Sequence, residues 1–153
     1  NKKILCLRLF TVYGPWGRPD MALYNFCKNI LLKKKIFLFN RGNHKRDFTY
    51  IDDLTNSIKN IIRYLDNKKH AKNFEIINFC SQRSVTLKKY IEIIENNLKM
   101  KAKKKLLPLQ QGDMIKTHGS SKKLKRLLNY ECKITPENGI KRYISWFKNY
   151  YNF

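Results

Sequence analysis

Hydrophobic residues recur in this chain with two spacings, and the alternation between them predicts an α/β protein. Ile4-Leu5-Cys6-Leu7-Arg8-Leu9-Phe10 is a nearly continuous apolar run; with Thr11 and Val12 it predicts a buried strand over residues 4–12. The run breaks at Gly14-Pro15 and Gly17, and helical spacing follows. Leu23, Phe26, Cys27, Ile30 and Leu31 share one face, Asp20 stands where a cap belongs, and Lys33-Lys34-Lys35 suits the carboxyl end. Residues 36–39 and 46–51 then read as two short strands flanking a turn at Asn40-Arg41-Gly42-Asn43.

Asp52-Asp53 opens a second helix with Leu54, Ile58, Ile61, Ile62 and Leu65 as its apolar stripe. Residues 74–79 predict a strand, and residues 86–98 a helix carrying Leu87, Tyr90, Ile91, Ile94 and Leu98. A basic connector, 101–105, leads to Leu106-Leu107-Pro108-Leu109 and the polar loop Gln110-Gln111-Gly112-Asp113. A short helix near 121–128 and a last one opened by Thr135-Pro136 complete the chain, the latter packing through Ile140, Tyr143, Ile144, Phe147 and Tyr151. These stripes are core. Strand and helix alternate without a linker or a repeat, which argues for one α/β unit.

The loop after the first strand is the natural ligand loop, because open α/β sheets hold ligands at the carboxyl ends of strands. It brings Thr11, Tyr13 and Arg18 close together, and an Arg fork with a Thr hydroxyl suits a planar anion. On these residues alone an ordinary solvated loop fits equally well, since Gly and Pro punctuate any loop.

Composition changes this picture in two places. An apolar fraction of 42% in 153 residues supports a folded core and argues against disorder. No apolar run reaches membrane-spanning length, so no membrane partner is expected. The formal charge of +22 raises nucleic-acid binding, but the lysines are spread over every predicted element, so no specific nucleic-acid partner is expected. Cys6, Cys27, Cys80 and Cys132 form no C-x-x-C pair, and His44, His70 and His118 stand isolated in polar company as surface histidines; no metal site is expected, and a reducing cytoplasm is the simplest home. Asn1-Lys2-Lys3 carries no initiator methionine, so the chain is expected to begin within a longer protein.

Two strings carry a resemblance. Thr11-Val12-Tyr13-Gly14-Pro15-Trp16-Gly17-Arg18-Pro19-Asp20-Met21-Ala22, followed by Lys45-Arg46-Asp47-Phe48-Thr49-Tyr50-Ile51-Asp52-Asp53, resembles the nucleotide-sugar epimerases of the extended short-chain dehydrogenase class, UDP-glucuronate 4-epimerases in particular. Both are long, rich in infrequent residues and in the right order. The resemblance implies an α/β fold in which residues 1–153 are the C-terminal substrate-binding part of an extended short-chain dehydrogenase Rossmann-type enzyme. It also implies NAD, held mainly by an amino-terminal half outside these residues, a UDP-sugar substrate, and a homodimer for the full-length parent.

The family reaction takes UDP-glucuronate to UDP-galacturonate through a 4-keto intermediate, with a Tyr-x-x-x-Lys pair as its catalytic core. Two such strings occur here, Tyr24 to Lys28 and Tyr64 to Lys68, but neither is in the family position, and nine tyrosines in so lysine-rich a chain produce chance matches. No catalytic residue is expected in this chain. Asp20 also stands where a third glycine of a dinucleotide fingerprint would be.

Carried over by motif, Thr11 and Arg18 face the glucuronate carboxylate, Arg46 the UDP diphosphate and Asp113 the uridine ribose, with Phe10 and Tyr13 near the nicotinamide and sugar. Plainer alternatives are an Arg46 ion pair with Asp47 or Asp52, and an Asp113 that only makes a turn at Gly112. The chain departs from the family pattern twice. Asn78-Phe79-Cys80-Ser81 replaces Asn-Ile-Gly-Asn, and Thr117-His118-Gly119-Ser120 stands where an alanine and an aspartate are usual. The competing readings are therefore a degenerate or truncated nucleotide-sugar-binding fragment without activity, and half of a related nucleotide-sugar dehydratase.

Overall fold

The computed structural model describes residues 3–67 and 73–153. Lys68 and His70 lie outside the described residues. The elements in chain order are β1 (Ile4–Leu9), β2 (Thr11–Tyr13), α1 (Ala22–Leu31), β3 (Lys35–Leu38), β4 (Lys45–Tyr50), α2 (Ile51–Asp66), β5 (Phe74–Phe79), β6 (Ser84–Thr86), α3 (Leu87–Leu98), β7 (Lys103–Leu106), α4 (Lys122–Leu128) and α5 (Pro136–Tyr151).

The strand predicted over residues 4–12 is two strands that serve different sheets. β1 runs parallel to β5 from Ile4↔Phe74 to Leu9↔Phe79. At Phe10, whose N–H donates to the Phe79 carbonyl at 3.1 Å, the chain leaves that sheet. β2 then runs parallel to β4, pairing Thr11 with Phe48 and Tyr13 with Tyr50. Both halves are apolar, so hydrophobic pattern alone does not mark the switch. β4 pairs antiparallel with β6 on its other side.

The two strands predicted around residues 40–43 do not pair with each other. β3 instead pairs in parallel with β7, so the basic connector is a strand whose lysines face solvent. Glu95 fastens it: its buried carboxylate accepts from the Ala102 N–H at 2.8 Å and pairs with Lys104 Nζ at 2.8 Å. Burial pushes this carboxyl up, but the Lys104 and Ala102 hydrogen bonds outweigh burial and hold it below its ordinary range.

Two of the five helix starts among the described residues carry a side-chain cap. Thr86 and Thr135 cap α3 and α5 by accepting from the N–H groups of Lys89 and Asn138, and Pro136 opens α5. Asp20 does not cap α1. Met21 holds that position, and Asp20 pairs with Arg18 instead. Of the expected α2 stripe, Leu54, Ile61 and Leu65 pack on the core, whereas Ile58 and Ile62 are 47% and 53% exposed and Asp53, Ser57 and Tyr64 are buried. Backbone donors hold Asp53 inside. Its carboxylate accepts from the N–H groups of Lys133 and Ile134 at 2.9 and 3.0 Å, tying α2 to the segment before α5. A buried carboxylate is tolerated when backbone donors satisfy it.

Two apolar cores result. One joins α1, α3 and α5 to β2, β3 and β4 through Phe26, Ile36, Phe48, Tyr90, Ile140 and Phe147. The other seats β1 and β5 on α2 and α4 through Leu7, Ile77, Phe79, Leu124 and Leu128. The opposite face of the β1–β5 pair is open, with Ile4, Phe74 and Ile76 all more than two-fifths exposed. Tyr13 belongs to the first core, edge-on to Phe48, Tyr50 and Tyr90. Its phenol oxygen is buried without a hydrogen-bond partner against Gly139 of α5, and burial pushes its pKa up.

Candidate functional site

Where β2, β3 and β4 meet the side of α1, they leave a cleft of about 540 Å³. Thr11, just past the carboxyl end of β1, lines it with Arg46 and Phe48 of β4, Asn25 and Asn29 of α1, and Asp113 of the loop after β7. Apolar walls with a few converging polar groups are what a small-molecule site requires.

The charged centre of the cleft is Asp113. One carboxylate oxygen accepts from Arg46 Nη2 at 2.9 Å, and the other lies 3.1 Å from His44 Nε2. Arg46 therefore pairs neither with Asp47 nor with Asp52. Asp113 is placed by a turn, its N–H donating to the Gln110 carbonyl at 3.1 Å with Gly112 at φ 79°. Turn and site are thus one device. The aspartate reaches Arg46 because the turn holds it there.

His44 is not a surface histidine: it is 4% exposed and lines the cleft. Successive left-handed residues Asn40, Arg41 and Gly42 bend the chain before it, held by N–H donation from Asn40 and Arg41 to the Pro108 and Leu107 carbonyls. Left-handed Asn and Arg are costly enough to need such anchors. Strand alternation was the available signal, since it puts positions 44, 46 and 48 on one face once Arg46 is on the cleft side. Asn25 and Asn29, four apart on α1, were legible in the same way. His118 is exposed, its Nδ1 3.1 Å from Ser84 Oγ.

The other expected site residues lie elsewhere. Arg18 is 75% exposed at the side chain and pairs with Asp20 at 3.1 Å; Asp20 lines the cleft, so Arg18 stands one ion pair from it. Its loop is set by Gly14, at φ 153°, where a Cβ would overlap Ile51. Trp16 in the same loop packs edge-on against Trp146 and Tyr150 of α5. Tyr13 does not line the cleft, because its ring is enclosed in the core. Phe10 is half-buried beside Gly119.

On the far face of β4, Asp47 is fully buried. Its carboxylate accepts from the Ser81 N–H at 3.0 Å, Ser81 Oγ at 2.7 Å and the Gln82 N–H at 3.1 Å. This fastens the segment after β5 directly behind Arg46. Cys80 is buried beside it, and burial with the Asp47 charge pushes its thiol up to about 11, so it is a packing group and no nucleophile.

Cys80 and Gly119 fit each other. A Cβ on Gly119 would lie 2.6 Å from Cys80 Sγ and 2.7 Å from Phe10 Cζ, so the sulfur fills the space an alanine at 119 would take. Gly119→Ala is expected to destabilise the chain by about 1 kcal/mol through overpacking, and Cys80→Ala introduced with it to recover only part of that, because the Phe10 ring stays in contact. Urea titration of the two single variants and the double variant measures this; strictly additive losses would show that the positions do not share a volume.

The model of the NAD dependent epimerase/dehydratase family matches residues 1–78. An uncharacterized protein of Methanocaldococcus jannaschii is 47% identical over 145 residues, spanning 95% of this chain and 43% of that protein. UDP-glucuronate 4-epimerase 5 of Arabidopsis thaliana is 40% identical over 159 residues, 95% of this chain and 36% of that protein. The structure of UDP-glucuronic acid 4-epimerase from Bacillus cereus in complex with UDP-glucuronic acid and NAD superimposes with a TM-score of 0.85 at 30% identity, covering 95% of this chain and 45% of that one. The chain thus spans less than half the length of the relatives it matches. Its parallel strands and covering helices are those of the extended short-chain dehydrogenase, Rossmann-type epimerases, and it belongs to the NAD dependent epimerase/dehydratase family.

Proposed function

We propose that this chain is the substrate-binding portion of a UDP-glucuronate 4-epimerase-like enzyme, converting UDP-glucuronate to UDP-galacturonate through a 4-keto intermediate. The observation that carries the reading is the convergence of Thr11, Arg46 and Asp113 on one cleft from three separate parts of the chain. Arg46 offers the diphosphate a guanidinium fork, and Asp113 offers the ribose hydroxyls an acceptor. Thr11 lies beside them for the sugar. Arg18 reaches the glucuronate carboxylate by exchanging Asp20 for it; an exposed ion pair is worth little, so the exchange is cheap.

NAD is the cofactor of this family. The glycines present do not fit a dinucleotide cradle. Gly17 donates to the Gly14 carbonyl at 3.2 Å to close a turn, Gly14 backs onto Ile51, and α1 starts beyond Asp20. In this reading NAD and the catalytic Tyr/Lys pair belong to a part of the parent enzyme outside this chain, which packs on the open face of β1 and β5. Phe10, half-buried beside Gly119, is the residue that this reading puts on the nicotinamide side.

Isothermal titration of the 153-residue chain with UDP-glucuronate, UDP-glucose and UDP tests the assignment. Arg46→Ala is expected to weaken all three by about tenfold or more, the loss of a charge-assisted bidentate contact. Arg18→Ala is expected to weaken UDP-glucuronate and spare UDP-glucose. Equal losses for both sugars would remove the carboxylate role and favour a neutral-sugar epimerase or dehydratase, the reading that the outward position of Arg18 supports. A folded chain that takes up none of the three ligands would overturn the proposal.

A further inference from the structure

We propose that His44 is a second phosphate-contacting residue of the cleft, held by Asp113 while the cleft is empty and handed to the ligand when it binds. The inference rests on the nucleotide-sugar reading above and adds a residue that its polar sequence neighbours mark as a surface histidine.

Three observations carry it. His44 is 4% exposed and lines the cleft, yet its Nε2, although 3.1 Å from Asp113 Oδ2, makes no aligned hydrogen bond. A buried ring nitrogen without an aligned partner is costly, so an occupant that supplies an acceptor is favoured. The histidine is also positioned by rigid neighbours, its carbonyl accepting from the Leu87 N–H at 2.8 Å where α3 begins. Finally, both oxygens of Asp113 face protein donors, Arg46 on one and His44 on the other.

This last feature fixes the chemistry. One carboxylate is hydrogen-bonded by Arg46 of β4 and approached at 3.1 Å by His44, the residue just before that strand. A nucleoside diphosphate brings the complementary set: two phosphoryl groups that accept and a ribose diol that donates. On binding, the phosphates take His44 and Arg46, and Asp113 accepts from the diol. Partners are exchanged and none is left unpaired.

The test compares UDP with uridine, which has the diol and no phosphate, on the 153-residue chain. His44→Leu is expected to weaken UDP by about tenfold and to leave uridine within about twofold; His44→Gln, which keeps an N–H donor, is expected to recover part of the loss. In the wild-type chain the His44 Nε2 resonance is expected to move on adding UDP and to stay on adding uridine, a readout that needs no variant to fold. If Arg46→Ala weakens UDP while His44→Leu does not, the inference fails alone. Equal losses for UDP and uridine, or a resonance moved by both, would reduce His44 to a wall of the cleft. A folded wild-type chain that binds neither ligand overturns this inference together with the reading beneath it.

Discussion

Asp47→Ala is expected to destabilise the chain by about 3 to 5 kcal/mol, enough to leave a domain of ordinary stability barely folded. Asp47 is fully buried, and its carboxylate is the acceptor for two backbone N–H groups and one hydroxyl of the segment after β5. Truncation leaves all three donors without a partner in a place water does not reach, and each orphaned donor costs about 1 to 3 kcal/mol. Its own N–H donates to Thr117 Oγ1 at 3.3 Å, so β4 is also fastened to the loop that follows Asp113. Asp47→Asn preserves volume but points an amide donor at N–H groups, and is expected to lose about half as much. Urea unfolding followed by tryptophan fluorescence measures both. A loss below about 1 kcal/mol for the alanine variant would show that the segment finds other acceptors.

Gly139→Ala is expected to destabilise by about 2 kcal/mol although alanine is the better helix former by about 1 kcal/mol. The new Cβ would overlap Tyr13 Oη and lie 2.8 Å from Cζ and 2.9 Å from Tyr50 Cδ2. The Tyr13 ring has no room to retreat, because Phe48, Tyr50 and Tyr90 enclose it. Tyr13→Phe removes the overlapping oxygen, which is buried without a hydrogen-bond partner, so this single change is expected to be neutral or slightly stabilising. Combined with Gly139→Ala it is expected to return about 1 kcal/mol of the loss. Thermal melts of the four proteins decide the matter. A Gly139→Ala variant that melts higher than the parent would mean that α5 slides over Tyr13 without penalty.

Much of this architecture is legible in the pattern of apolar residues, and the exceptions have identifiable causes. α1, α3 and α5 stand where 3.6-residue periodicity puts them, because each buries its stripe in one core. On α2, Leu54, Ile61 and Leu65 are legible too, but the burial of Asp53 and Ser57 is not, since both read as polar surface until the backbone donors around Asp53 are seen. β7 was hidden for a related reason. It pairs through the backbone and three of its four residues are lysines, so no hydrophobic signal exists. In the cleft, the Arg46 and Asp113 motifs point to residues that the fold brings together, whereas His44, in polar company after the turn at 40–43, reads as surface unless the alternation of β4 is carried back to it. Tyr13 shows the reverse. It sits in a motif of binding residues, and the packing of α5 claims it for the core.

The contact between Cys80 and Gly119 constrains the order in which such a chain can change. Cys80 Sγ and the Phe10 ring together occupy the space that a side chain at 119 would need. A direct path through cysteine and alanine together meets the 2.6 Å overlap, whereas a path through glycine at both positions leaves only a gap. Loosening must therefore precede refilling. A chimera that brings a larger residue to position 119 is therefore expected to lose stability unless Cys80 and Phe10 are made smaller with it.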